Sequence, residues 1–360
     1  MRSHSRLAAF ASIFLAASMA SIVSPSSAQA FEIPTAESNL YILDVSGSTN
    51  SVALWKNLKT SVTSKLSQPF GNPISNSIQR SVPLDISIAS ISQNSQNSPI
   101  FSIVSKTDSN KIWGTVETIF PKIGGLRLER VTKQLFGAGG VWSSQAQIFT
   151  GTTIQAPTLA SCRSSALTSM DSGSFLRAAS DRNRIALADV LCEKLISTAK
   201  NLKQVDDYFS TPRCDRRSSC SDVIGAILLS TSAAQDLAAK PKDKVNGKEV
   251  KNKLCIAIAS DMLQDTPGLT KTSVLNSRQV ALTATTLEKA KGLGAAAARA
   301  AGVKFTSEVE TRVVMVGIGS GPNPIALDRN SFLLAYWEGF FTQSGVKQAN
   351  QNQSINQACA

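Results

Sequence analysis

Asp44, Ser46 and Ser48 place one carboxylate and two hydroxyls within five residues, and Gly47 between them lets the backbone fold tightly. All three side chains offer hard oxygen, the donor that Mg²⁺ and Ca²⁺ prefer. The chemistry such a trio supports is the holding of a divalent cation. Something must present it. Tyr41 to Leu43 is an apolar run too short for a helix, and it ends abruptly in small polar residues. That pattern predicts a buried strand delivering Asp44 to the edge of a sheet. A helical pattern from Val52 to Leu66 then carries the chain away. Strand, oxygen-rich turn and helix is how an open α/β sheet builds a site at the carboxyl ends of its strands.

Other chemistries are excluded by what is missing. The single histidine is His4, inside an N-terminal targeting pattern. Without it the chain has no Ser-His-Asp or Cys-His catalysis, and with no Cys-x-x-Cys it has no zinc site. A Ser-Lys pair is chemically open, but no spacing points to one. There is no Walker-type phosphate loop, and Gly137-Ala138-Gly139-Gly140 neither follows a clear strand nor opens a helix. These absences favour a binding protein over an enzyme and leave a metal-dependent hydrolase as the enzymatic alternative.

The targeting pattern consists of Arg2 and Arg6, an apolar stretch from Leu7 to Val23, and Ala28-Gln29-Ala30. It predicts a signal peptide over residues 1–30, cleaved after Ala30. The competing reading is an uncleaved anchor. Serines at 12, 18 and 21 within an alanine-dominated stretch favour cleavage, and no later stretch is apolar and long enough to span a bilayer. Cleavage takes two arginines and no acid from a formal charge of +12, leaving about +10. This charge is spread along the chain with little aromatic interleaving, so it predicts a solvated basic surface and no nucleic-acid groove. All six cysteines lie beyond residue 30, where an exported protein can form disulfides. Fifteen connectivities are possible. Cys214 and Cys220 bracket a short basic loop and are the best local pair, whereas Cys255, inside an apolar strand pattern, reads as a plain buried thiol.

Further elements follow in order. Leu84 to Ile91 and Ser98 to Ser105 read as two strands joined by a Gln/Asn/Ser loop. Lys111 to Phe120 has helical character, Gly124 to Pro157 resists assignment, and Phe175 to Phe209 is an amphipathic helix. No linker isolates this region, so residues 108–215 are expected as an elaborated insertion. Lys253 to Asp261 is a buried strand ending on a carboxylate. Thr272 to Gly302 is an alanine-rich helical stretch with expected breaks at Gly292 and Gly294. Arg312 to Gly319 is another buried strand, and Ser331 to Gly345 an aromatic-striped helix. The Gln/Asn-rich tail, residues 347–360, is expected to be flexible unless Cys359 ties it down.

Asp44-Val45-Ser46-Gly47-Ser48 resembles the first motif of the von Willebrand factor type A domain, whose metal-ion-dependent adhesion site begins Asp-x-Ser-x-Ser. Ser221-Asp222, ahead of an apolar helix with a Gly-Ala step, resembles the second, with Ser221 at the position of the family's Thr. Thr153 is a rival for that role, and a helix N-cap is the alternative use of Ser221. Ser260-Asp261 at a strand end resembles the third, making Asp261 the further acid; an Asp capping a turn is the alternative. The resemblance covers about residues 38 to 345. It implies an α/β fold, doubly wound, with a mostly parallel central sheet, one antiparallel edge strand and helices on both faces, over residues 31–346. It implies one Mg²⁺, Ca²⁺ or Mn²⁺ ion held by Asp44, Ser46, Ser48, Ser221 and Asp261, and a protein or other acidic partner that supplies a carboxylate to it. The location implied is periplasmic, secreted or cell-surface. A metal-dependent hydrolase, or a structural protein with a degenerate site, are the competing classes.

Overall fold

The computed structural model describes residues 37–45, 51–67, 85–120, 125–151, 154–210, 221–240, 242–245, 248–264, 266, 269–320, 324–352 and 354–359. The predicted signal peptide lies outside these residues.

Strand β1 (Glu37–Asp44) is buried along almost its whole length. It is flanked by two parallel neighbours, β2 (Asp85–Ile91) and β6 (Asn252–Ala259). Beyond β6 lie β7 (Val309–Val316) and β8 (Gln348–Asn352), both parallel, while β3 (Phe101–Val104) closes the other edge antiparallel to β2. The order is β3-β2-β1-β6-β7-β8. The chain thus winds outward from β1 in one direction and then, at β6, starts again in the other. This is the expected doubly wound α/β sheet with one antiparallel edge. A separate hairpin, β4 (Asp243–Val245) and β5 (Lys248–Val250), precedes β6 and had no counterpart in the sequence reading.

Alternation along the strands separates two apolar layers. Tyr41, Leu43, Cys255, Ala257 and Ala259 face one, and Leu40, Ile42, Leu254, Ile256 and Ile258 face the other. The first layer packs on α1 (Ser51–Ser67) and on the insertion. The insertion comprises α2 (Lys106–Ile119), α3 (Gly125–Phe136), α4 (Val141–Gln145), α5 (Leu159–Asp171), α6 (Ser174–Arg177) and α7 (Asp181–Phe209). Its end, with Leu202, Val205 and Phe209, shares one core with the sheet, so α7 is a packing layer for the strands. Asp206 of α7 accepts from Trp55 Nε1 and Lys59 Nζ of α1, each at 2.9 Å. A Cys162–Cys192 disulfide staples α5 to α7.

The second layer packs on α8 (Val223–Ala239), α9 (Ser277–Thr283), α10 (Leu287–Ala300) and α11 (Leu327–Gln343). Glycines 292 and 294 do not break α10; the interruption falls at 284–286, before it. The reason is packing. A Cβ on Gly294 would stand 1.8 Å from the Tyr336 carbonyl oxygen of α11, so the glycine lets two backbones touch.

One further expectation is corrected: Cys255 is not a free thiol but is bonded to Cys359. That bond is the tie on which the expected flexibility of the tail depends; Gln348–Asn352 is a sheet strand, and Lys65 Nζ donates to the Cys359 carbonyl at 2.8 Å. Cys214 and Cys220 lie outside the described residues.

Candidate functional site

Asp44 is the last residue of β1 and is fully buried. It is buried there because the strand register continues past its last pair, Leu43 beside Ala259, into Ser260 of the neighbouring chain segment. Ser260 lies on the same side of the sheet, the next position after Leu254, Ile256 and Ile258. Its hydroxyl donates to Asp44 Oδ2 at 2.7 Å, and Ser260 Oγ accepts the Met262 amide at 3.0 Å. Ser260 therefore joins the ends of the two central strands.

Asp261 follows directly and is also buried. One carboxylate oxygen accepts the Leu263 amide at 3.0 Å, and its carbonyl accepts the Gly319 amide at 2.9 Å. The chain turns sharply here because Met262 adopts φ 61°. For a residue with a Cβ that left-handed conformation costs about 1–2 kcal/mol. It is held in place by the burial of Met262 and by two donors to its carbonyl, Trp337 Nε1 at 2.9 Å and Ser277 Oγ at 3.1 Å. Backbone strain over-determined in this way clusters at functional sites.

Ser221 is buried immediately before α8. It is not the cap of that helix. Asp222 is the N-cap, with Oδ1 accepting the Gly225 amide at 2.9 Å. A Cβ on residue 225 would meet Asp222 Oδ2 at 1.9 Å, which accounts for the Gly of the Gly-Ala step. Asp222 also accepts the Ser95 amide at 3.1 Å, from the loop after β2, and the Gln264 side-chain amide at 3.2 Å, from the loop after β6. Gln264 Oε1 in turn accepts the Ile224 amide at 2.8 Å. Asp222 and Gln264 thus lace together three segments at the carboxyl edge of the sheet.

Of the predicted donors, the structure puts Asp44 at the end of β1 and Asp261 in the turn that follows the adjacent strand β6, and ties the Ser221 segment to the Asp261 loop through Gln264. Ser46, Ser48 and the rival Thr153 lie outside the described residues. Among the described residues no group of three or more His, Cys, Asp or Glu is placed to hold a metal. The expected donors that are described, Asp44, Asp261 and Ser221, offer only hard oxygen, the chemistry a small divalent cation takes. The sequence reading missed Ser260 as a site residue, although it shares the face of the three apolar residues before it. It also passed over Gln264, whose role depends on a partner 42 residues away and leaves no local signal.

No protein-family profile matches this chain, and no curated protein sequence does. Among solved structures, the human COPII-coat protein Sec24c aligns with a TM-score of 0.31 and 9% identity, over 90% of this chain and 30% of that one. At that score the match adds nothing to the fold or the site.

Proposed function

We propose that this is an exported binding protein of the von Willebrand factor type A kind. It engages a carboxylate of a protein or other acidic ligand through one divalent cation held by Asp44, Ser46, Ser48, Ser221 and Asp261. The observation that carries this reading is the place of Asp44 and Asp261. Asp44 ends β1, and Asp261 follows the end of the adjacent strand β6 by two residues, at the point where the strand order reverses; it is outside the carboxyl ends of strands at such a point that open α/β sheets take ligands. Two carboxylates at one edge repel each other, and a cation turns that repulsion into attraction. The cation would supply an electrophilic position for the partner's oxygen. Export is supported by the N-terminal pattern and by two disulfides, Cys162–Cys192 and Cys255–Cys359. No described helix is long and apolar enough to cross a membrane.

One observation favours a second reading, a structural role for a degenerate site. Each acid already has an internal donor, Ser260 Oγ on Asp44 and the Leu263 amide on Asp261. Calorimetric Mg²⁺ titration separates the two. Binding by the wild type, abolished in Asp44→Asn and Asp261→Asn with folding confirmed by circular dichroism, supports the adhesion-type site. Ser221→Ala should weaken uptake less than either, and Ser221→Thr should preserve or strengthen it. A wild type that takes up no divalent ion at millimolar concentration, even with partner present, leaves the structural reading.

A further inference from the structure

The insertion contains a cavity of its own. It has a volume of about 470 Å³ and lies among α3, the loop after it, the end of α5 and α6. Arg130 and Lys133 line it one helical turn apart on α3, and no acidic side chain lines it among the described residues. The described part of the wall therefore carries two positive charges and no negative one. Arg130 is held over the Phe175 ring, with Cζ 5.6 Å from the ring centroid. Gln134 ties the two sides of the cavity together by accepting the Leu176 amide at 3.2 Å.

The serines opposite define the other half of the chemistry. Ser169 Oγ donates to the Ser165 carbonyl at 3.0 Å, and Ser172 Oγ donates to the Ser169 carbonyl at 2.7 Å. Both serines line the cavity, and a hydroxyl that donates its proton this way keeps its lone pairs for a donor. Arginine and lysine are donors only. A ligand that satisfies both walls must carry an oxyanion at one end and hydroxyl donors at the other.

We propose that this cavity binds a small polyhydroxylated anion, an acidic or phosphorylated sugar. The proposal is independent of the metal site, and its test is run in chelator so that the two stand or fall separately. The probes are glucuronate and glucose 6-phosphate, with glucose as the neutral control, titrated calorimetrically into the purified protein. Saturable binding of either anion, none of glucose, and weakening with added salt are expected. The exposed double variant Arg130→Gln/Lys133→Gln should lose about tenfold or more in affinity, since charge-assisted bonds to an anion are the stronger class. Ser172→Ala, which leaves both cations in place, should lose less. Binding of one anion only supports the proposal and identifies the anionic group. No saturable binding of either anion, glucose binding as well as they do, or full affinity in the double variant overturns it.

Discussion

Tyr41 sits in the middle of β1 with no exposed surface, and burial pushes its phenol up to about 12. A folded-state pKa raised above the ordinary value of 10 means that the neutral phenol contributes stability below pH 10. That contribution is lost as pH rises from 10 through about 12, amounting to roughly 2–3 kcal/mol for a shift of this size. Lys65, which donates to the Tyr41 hydroxyl at 3.3 Å, has the opposite sign. Burial holds its ammonium below 10.5, so its contribution grows as pH approaches that value. Tyr336 is raised by burial in the same direction as Tyr41. Urea melts across the alkaline range should therefore show Tyr41→Phe falling less steeply than wild type above pH 10.5, with the remaining slope carried by other groups such as Tyr336. Parallel curves would remove Tyr41 from the account. At this scale the sequence was legible where chemistry is local. Asp44 and Asp261 stood out because each ends an apolar run. The Ser260 hydroxyl between them, the strained Met262 and the reach of Gln264 exist only through partners far along the chain.

Glycines in one helix separate two uses of the same residue. Gly292 and Gly294 both lie in α10, yet a Cβ on Gly292 meets nothing within 4 Å, whereas one on Gly294 collides with backbone. Gly292→Ala should stabilise the protein by about 0.5–1 kcal/mol through helix propensity alone. Gly294→Ala must push α10 and α11 apart and should destabilise by about 1–3 kcal/mol or more. Thermal melts of the two variants against wild type check this, and equal shifts would show that the helices are free to slide. The sequence reading took both glycines as breaks because propensity is all that a sequence displays; a close helix crossing is invisible until the partner helix is placed. Strands β1, β6 and β7 were legible for the opposite reason: their carboxyl-terminal halves are buried on both faces and read as apolar runs. Strand β8, on the exposed edge, pairs through backbone and leaves its Gln/Asn side chains largely in water, so it has no apolar pattern to read.

At the scale of the whole molecule, two disulfides among the described residues join segments far apart in the chain. Cys255–Cys359 closes a separation of 104 residues and Cys162–Cys192 one of 30. Loop-closure entropy makes the longer one worth roughly 4–5 kcal/mol and the shorter about 3–4. Cys255→Ala/Cys359→Ala should therefore lower stability more than Cys162→Ala/Cys192→Ala in urea unfolding, and should open the segment after Lys347 to limited proteolysis. An intact tail under protease would assign its order to β8 pairing alone. The doubly wound plan was legible because strand and helix patterns alternate, but the disulfide partners were not, since spacing along the chain says nothing of distance across a sheet. The junction between Asp44 and Ser260 also fixes an order of events. Its halves are 216 residues apart, and the strand bearing the second is made only after the insertion and α8. A chain emerging from its amino end thus carries β1 with one side bare until β6 arrives, and long-range parallel pairing of this kind is intrinsically slow. The carboxyl edge that we assign to ligand binding cannot exist in any shorter nascent chain. A partner present during synthesis meets no site until more than two thirds of these residues have been joined.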